Sequence, residues 1–380
     1  MPRFARMLAE GMKERGHNVE ILSPQAKVSR LPAPKALRKW LHYIDQYITF
    51  PSAVRKGLST YSPDTLFVFT DHALGPWVPL VADRPHVVHC HDFLAQWSAL
   101  GAIPENPTGW SGQQYQKYIR QGYSQAKNFI SVSRKTQQDL AHFLPTPPRS
   151  SETVYNALNQ KFGPVDIEQA RASLTKQTGI DLNAGYLLHI GGNQWYKNRA
   201  GVIEIYTAWR KNTGGTLPLL LIGEAPTLAL EQLREQSGYQ KDIHFLTNIS
   251  DEFVQLAYAG ASVFLFPSLA EGFGWPIAEA MASGCLVLTT NEAPMTEVAG
   301  DAGFLAPRRP AVEEQVTTWA DEAAQVLQQI LSLSPIDRSR AVEAGILNAK
   351  RFEPKTLLDQ IEKIYLTCTK ETAEISSSAR

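Results

Sequence analysis

Phe266-Pro-Ser-Leu-Ala-Glu271-Gly-Phe-Gly-Trp-Pro-Ile-Ala-Glu279-Ala-Met-Ala-Ser-Gly284 sets two carboxylates eight residues apart around a Gly-x-Gly turn. Ahead of it, Ser262-Val-Phe-Leu-Phe266 is short, apolar and aromatic, the pattern of a buried strand. Behind it, Pro276 suits the first turn of a helix on which Ile277, Ala280 and Met281 share a face. Glu279 then falls in the first turns of that helix and Glu271 in the loop before it. A strand, a glycine loop and a helix N-terminus together offer an anion backbone N–H groups and the helix dipole. Two carboxylates beside such a site are acceptors for sugar and ribose hydroxyls. The combination suits a nucleotide sugar, with diphosphate on the amides and hydroxyls on the glutamates. A lone glutamate pair at this spacing would more simply be a capped helix with solvated side chains.

The 380 residues suggest two domains with sizeable cores. No apolar run approaches the ~18 residues that span a bilayer, and the charged N-terminus has no signal-peptide core. Of three widely spaced cysteines, Cys90, Cys285 and Cys368, the first two lie in apolar strand-like stretches and read as reduced core residues, so a cytoplasmic protein is expected. Residues 1–158 carry 18 Lys+Arg and 11 Asp+Glu, a balance of +7, and the remainder 19 and 26, a balance of −7. The basic half suggests an anionic partner. No nucleic-acid partner is expected.

Strands and helices alternate, which predicts parallel α/β domains. Helical segments are expected at Phe4–Arg15, Gln113–Gln125 and Lys135–Phe143. Strands are expected at Val19–Leu22, Thr65–Phe69, His86–His89, Phe129–Val132 and Thr153–Tyr155. A second series runs through Tyr186–Ile190, Leu217–Ile222, Ile243–Leu246, Val263–Phe266 and Leu286–Thr289. The expected division is a first domain at 1–158, a second at 159–350 and a disordered polar tail at 367–380.

His89-Cys90-His91-Asp92 sets two histidines and an aspartate at H-x-H-D spacing, close to the pattern of some metal sites, but no second half of such a site follows. Alternation along the strand puts His89 and His91 on one face of its end. A ligand-facing strand end, structural histidines and a metal site all stay open on spacing alone. Pro34-Lys-Ala-Leu-Arg-Lys-Trp40-Leu-His-Tyr43-Ile-Asp-Gln-Tyr47-Ile-Thr-Phe50 mixes basic, aromatic and aliphatic residues at helical spacing. It reads equally as a lid or acceptor-side helix at a membrane surface, making the protein a peripheral one, or as a core-facing helix with Lys35, Arg38 and Lys39 in water.

The quoted run resembles the glutamate–seven–glutamate signature of the family 4 retaining glycosyltransferases, and the resemblance extends from about Phe4 to about Leu366. It implies a GT-B fold: two Rossmann-like α/β domains with parallel sheets facing across a cleft. The helix at about 354–366 would pack back on the first domain. His189-Ile-Gly-Gly192-Asn-Gln-Trp-Tyr-Lys197-Asn198-Arg199 resembles the family's strand, glycine turn and K-N or K-G pair, whose lysine balances the donor diphosphate. Where many members carry an arginine this chain has Gly192, and Arg199 is the candidate to compensate. Ser131-Val-Ser-Arg134 is similar to the family's S-x-S turn, and Val154-Tyr-Asn156-Ala157 to its N-G-V segment. Thr290-Asn291-Glu-Ala-Pro-Met295 resembles the loop that meets the donor.

The resemblance implies a retaining, metal-independent hexosyltransferase of glycan biosynthesis. It would use a nucleotide-diphosphate sugar as substrate, with no cofactor and no metal. Its acceptor would be a glycan, a lipid-linked group or a small molecule, and the K-N pair points to GDP-mannose among donors. His91, Asp92 and Glu271 are the expected catalytic residues. Lys197, Gly272, Phe273, Gly274, Glu279, Asn291 and Met295 are the expected donor contacts, with Arg199 as a further diphosphate contact. Other readings are a non-catalytic GT-B-like scaffold, or another GT-B reaction such as phosphorolysis or epimerisation. Leu8-Ala-Glu-Gly-Met-Lys-Glu-Arg15-Gly16-His17-Asn-Val19 matches the end of the family's opening unit, but its first strand and glycine loop have no counterpart. The natural protein is therefore expected to extend upstream of Met1 by roughly 15–30 residues, enough for a strand and loop at ~3.3 Å per residue.

Overall fold

The computed structural model describes residues 2–158 and 162–378. The chain divides into two compact units, residues 1–155 with 355–380, and residues 156–354. Among the described residues no helix is long and apolar enough to cross a membrane.

The first unit holds a parallel sheet in the order β1-β2-β3-β4: β1 (Phe67–Phe69), β2 (His86–Cys90), β3 (Asn128–Ser131) and β4 (Ser150–Thr153). Val88 sits opposite Phe129, and Phe69 opposite Val88. Every residue of β2 and β3 is buried, as expected of strands covered by helices on both faces. Helix Trp110–Tyr123 covers the sheet and meets the 3-10 segment His72–Leu80 at Gly122 and Gly75. A Cβ on Gly122 would lie 2.2 Å from the Gly75 carbonyl, so this backbone approach requires glycine. Ser133 caps helix Arg134–Phe143 by accepting from the Thr136 N–H.

Helix Pro2–Glu14 buries Phe4, Leu8 and Met12, one residue per turn. It ends at Gly16, whose φ of 88° lets the His17 N–H reach the Met12 carbonyl at 3.1 Å, closing a Schellman-type turn. The last helix, Pro354–Ser378, packs on it in the same unit. Arg15 reaches Asp359 at 2.8 Å, and a Cβ on Gly11 would strike the Leu358 side chain.

Two strand expectations fail here: the strand expected at Thr153–Tyr155 lies instead at Ser150–Thr153, and the second is Val19–Leu22. Val19–Leu22 forms no strand: the stretch is irregular, with Ile21 57% and Leu22 40% exposed. A four-residue strand holds only if a neighbour takes its N–H and C=O groups, and among the described residues no strand lies beside it. The final helix runs through the polar stretch from Thr367 to Ser378. Residues 379–380 lie outside the described part.

The Pro34–Phe50 segment is helix Lys35–Ile44, a wider π-turn Asp45–Thr49 and helix Phe50–Gly57. It is only partly core-facing. Phe50 packs on Trp77, and the Tyr47 and Tyr115 hydroxyls are 2.6 Å apart, but Leu37, Trp40 and Ile48 face water.

The second unit holds six parallel strands: β5 (Leu187–Ile190), β6 (Leu219–Ile222), β7 (Ile243–Leu246), β8 (Val263–Phe266), β9 (Val287–Thr290) and β10 (Phe304–Ala306). Their order is β10-β9-β8-β5-β6-β7. β6 and β8 are wholly buried apolar runs, and helices Arg199–Thr213 and Val316–Leu331 supply Val202, Tyr206, Trp209, Trp319 and Leu327 to the same core. The sequence reading missed β10, a three-residue strand with one buried position. The strand order runs outward in both directions from the adjacent pair β5 and β8. The crevice at the carboxyl ends of such a pair is where open α/β sheets bind ligands.

Candidate active site

The loops leaving β5 and β8 bring together residues far apart in sequence. Lys197 Nζ lies 2.8 Å from Glu271 Oε1, with the lysine side chain 16% and the glutamate 9% exposed. Ser268 Oγ donates to the same oxygen at 2.9 Å. The ammonium also sits 5.3 Å from the Phe266 ring centroid and 5.4 Å from that of Tyr196. The loops after β5 and β8 thus carry one cation and one anion in contact and largely buried, each chemically able to turn to a ligand of opposite charge or to its hydroxyls.

Asn198 places this pair. It adopts the left-handed conformation, φ 52°, which Asn tolerates better than most residues. Its Oδ1 accepts from the Gly201 N–H at 3.1 Å and caps helix Arg199–Thr213, while its Nδ2 donates to the Pro267 carbonyl at 2.8 Å. Leu269 N–H donates to the Tyr196 carbonyl at 2.8 Å. The hydroxyls of Thr289 and Thr290 on β9 hold the carbonyls of Phe266 and Ser268 at 2.8 and 2.7 Å. The β8 loop is therefore tied on both sides.

Gly274, φ 107°, turns the chain into helix Trp275–Ala282 with Pro276 in its first turn. Phe273 is buried between Trp275 and Phe352, and Trp275 Nε1 donates to the Ala157 carbonyl at 2.9 Å. The helix start is consequently anchored by its aromatic residues. Glu279, about a turn into the helix, accepts from the buried Tyr258 hydroxyl at 3.1 Å. Burial and the Glu279 charge both push the Tyr258 phenol well above its ordinary range, so it stays a donor.

The remaining expected donor contacts fall into different settings. Asn291 is exposed after β9. Met295 is 1% exposed, so its side chain belongs to the core. Arg199 is buried over the Phe245 ring, and its Nη1 donates to Asn193 Oδ1 and the Glu224 carbonyl. Its Nε and Nη2 have no protein partner. Burial lowers its pKa against the pull of Glu224. Its visible bonds thus run to the β5 and β6 loops and not to the Lys197–Glu271 pair. Glu224 also accepts from the Asn193 N–H at 3.0 Å, in the glycine turn itself.

In the first unit, His89 and His91 both touch Phe4, at ring separations of 5.2 and 4.7 Å, as strand alternation requires. His89 Nε2 is 2.7 Å from the Tyr365 hydroxyl, and burial lowers its pKa to about 3. His91 Nε2 donates to the Thr70 carbonyl at 3.0 Å, which leaves Nδ1 as its acceptor. Burial lowers the His91 pKa while Asp71 pulls it upward. Asp92 accepts from the Leu94 N–H at 3.0 Å. Among the described residues no group of three or more metal-ligating side chains converges.

Sequence reasoning missed Tyr258, Ser268 and Asp71. Ser268 stands three residues before Glu271, a local hydrogen-bonding distance that the motif already displayed. Tyr258 and Asp71 gave no local signal, because their roles depend on packing between elements.

Comparisons with known proteins bear on the family and the fold. The family described as "Glycosyl transferases group 1" matches residues 170–345, and "Glycosyltransferase Family 4" matches residues 1–162. O-antigen chain mannosyltransferase B of Escherichia coli is 28% identical over 253 residues, 66% of this chain and 63% of that protein. The match thus spans less than two thirds of that relative's length. Sucrose-phosphate synthase from Thermosynechococcus elongatus superposes with a TM-score of 0.68 at 19% identity, covering 96% of this chain and 92% of that one. HepE from Anabaena, in complex with UDP and glucose, gives a TM-score of 0.64 at 17% identity over 93% and 87% of the two chains. These structures share the fold, GT-B with two parallel-sheet Rossmann-like domains.

Proposed function

The chain belongs to the group 1 glycosyltransferases of family 4, and from that premise we propose that it moves a sugar from a nucleotide-diphosphate donor to a hydroxyl acceptor with retention. The single observation that carries this reading is the Lys197–Glu271 contact at the ends of β5 and β8. Lys197 would exchange Glu271 for the donor diphosphate, freeing the carboxylate for sugar hydroxyls. Glu279 would take the ribose hydroxyls, and the backbone N–H groups of Gly272, Phe273 and Gly274 would meet sugar and phosphate at the helix start. Asn291 and the backbone at Met295 would complete the donor contacts, with Arg199 as a reserve cation for phosphate.

In the chemical step the acceptor oxygen bonds to the anomeric carbon as the bond to the diphosphate oxygen breaks on the same face. The acceptor proton passes to the departing diphosphate. Lys197 and the helix N-terminus stabilise the charge that develops there, without a metal ion. His91 and Asp92 are proposed to contact the transferred sugar or the acceptor hydroxyl. GDP-mannose is the proposed donor; the Lys197-Asn198 pair supports it, and the name of the Escherichia coli relative supports mannose as the sugar. The acceptor is proposed to be a glycan, a lipid-linked group or a small molecule.

The test is release of nucleotide diphosphate from a panel of GDP- and UDP-sugars by the chain. Slow hydrolysis of one donor, abolished by Lys197→Ala, is expected. Binding without turnover of any donor would favour a scaffold over an enzyme.

A further inference from the structure

The surface around helix Lys35–Ile44 combines three features that a solvated face does not need together. Leu31, Leu37, Trp40 and Ile48 are 52–64% exposed. Leu37 and Trp40 are three residues apart on one helix face. An aromatic series continues from Trp40 through Tyr43 and Tyr47 to the exposed Tyr118, each ring 5.8–6.0 Å from the next. Large exposed apolar groups in a series mark a contact surface rather than scattered surface residues.

The charge around them has one sign. Residues 21–63 contain seven Lys and Arg, at 27, 30, 35, 38, 39, 55 and 56, and one acid, Asp45. That acid is 3% exposed and spent inside the fold. Its carboxylate accepts from the N–H groups of Lys27, Val28 and Ser29 at 3.0, 2.9 and 2.9 Å, and from the Ser29 hydroxyl at 2.7 Å. Burial would raise its pKa, but these four donors outweigh it and hold the carboxyl far below the usual range. Asp45 therefore clamps the 27–29 turn, just ahead of Arg30 and Leu31, to the end of helix Lys35–Ile44. The surface is built, not frayed, and presents cations around an apolar and aromatic strip.

We propose that this face docks on an anionic lipid bilayer, with Leu31, Leu37, Trp40 and Ile48 in the headgroup–acyl boundary and Arg30, Arg38 and Lys39 on anionic headgroups. An acidic protein would satisfy the cations but would leave the aliphatic residues against a charged partner. A bilayer satisfies both, and aromatic rings favour its interface. Its residues belong to the first unit and the proposed donor contacts to the second, so the proposal stands or falls independently of the proposed reaction.

The experiment is flotation of the full chain with vesicles of phosphatidylcholine alone, or of phosphatidylcholine and phosphatidylglycerol at 7:3. Binding to the mixed vesicles only is expected, weakened by salt. Arg38→Glu with Lys39→Glu should weaken it at least twenty-fold, at about fivefold per lost charge. Trp40→Glu and Leu37→Glu should each reduce it further while leaving melting temperature and nucleotide-diphosphate binding unchanged. If Trp40→Glu is poorly folded, Trp40→Ala serves in its place. No binding to mixed vesicles, equal binding to neutral ones, indifference to Trp40 and Leu37, or equally tight binding to soluble polyglutamate would each overturn the proposal.

Discussion

Lys197 and Glu271, seventy-four residues apart, meet at 2.8 Å where β5 and β8 end. Two separate motifs, a glycine turn with a lysine and a glycine loop with a glutamate, thereby become one charged pair. Its neutrality explains how both groups stay largely buried. A buried charge without a partner costs several kcal/mol, and the pair removes that cost.

Glu279→Gln should weaken nucleotide-diphosphate-sugar binding by roughly tenfold to over a hundredfold, because hydrogen bonds to charged groups contribute ~1.5–3 kcal/mol. Calorimetric titration of both forms measures it. Equal affinities would remove Glu279 from the site.

Tyr258→Phe deletes the hydroxyl that holds Glu279 at 3.1 Å. A loss of about threefold to tenfold in donor affinity is expected, at ~1 kcal/mol for such a bond. The fold should be retained, since the ring stays packed on Phe264. The Glu279→Gln, Tyr258→Phe double variant should lose less than the sum of the singles. Full additivity would mean that Tyr258 does not act through Glu279.

Asn198→Ala removes a helix cap, the bond to the Pro267 carbonyl and a residue suited to φ 52°. Destabilisation of about 2–4 kcal/mol is expected from the three together. Asn198→Gly keeps the backbone freedom and should cost clearly less. Urea unfolding at pH 7 compares them, and equal costs would show that backbone conformation is not what the position selects.

His89 and His189 are both held neutral by burial, each lowered to about 3 from an ordinary 6.5. The unfolded chain therefore binds more protons between those values, and stability rises with pH across that window. It is fully present above 6.5 and is lost as pH falls toward 3. One such histidine accounts for roughly 2 kcal/mol between pH 7 and pH 5. His89→Gln should flatten the dependence of unfolding midpoint on pH, and an unchanged slope would show that His89 is not desolvated.

Much of this structure is legible in the sequence because parallel strands are continuous apolar runs. β7 and β8 fall at Ile243–Leu246 and Val263–Phe266, as the pattern reads. The loop motifs are legible for a related reason: glycine, proline and asparagine mark backbone conformations that few other residues tolerate. What the sequence hides is non-local. Val19–Leu22 has a strand's composition, but composition cannot supply a neighbour to pair with. Arg199 has the chemistry of a phosphate ligand, yet Asn193, Glu224 and Phe245 hold it, and only the fold brings them there. Tyr258 is a buried aromatic in an apolar helix until the packing sets its hydroxyl on Glu279.

The most direct test of the donor site compares Lys197→Ala with the unaltered chain, titrating GDP and guanosine, and UDP and uridine, by calorimetry. The unaltered chain should bind at least one nucleoside diphosphate saturably at one site. Lys197→Ala should lower that affinity by roughly tenfold to a hundredfold, the range for a charged hydrogen bond, and leave the corresponding nucleoside nearly unchanged. No diphosphate binding by the unaltered chain, or an equal loss for diphosphate and nucleoside, would contradict a donor-phosphate site at the Lys197–Glu271 pair.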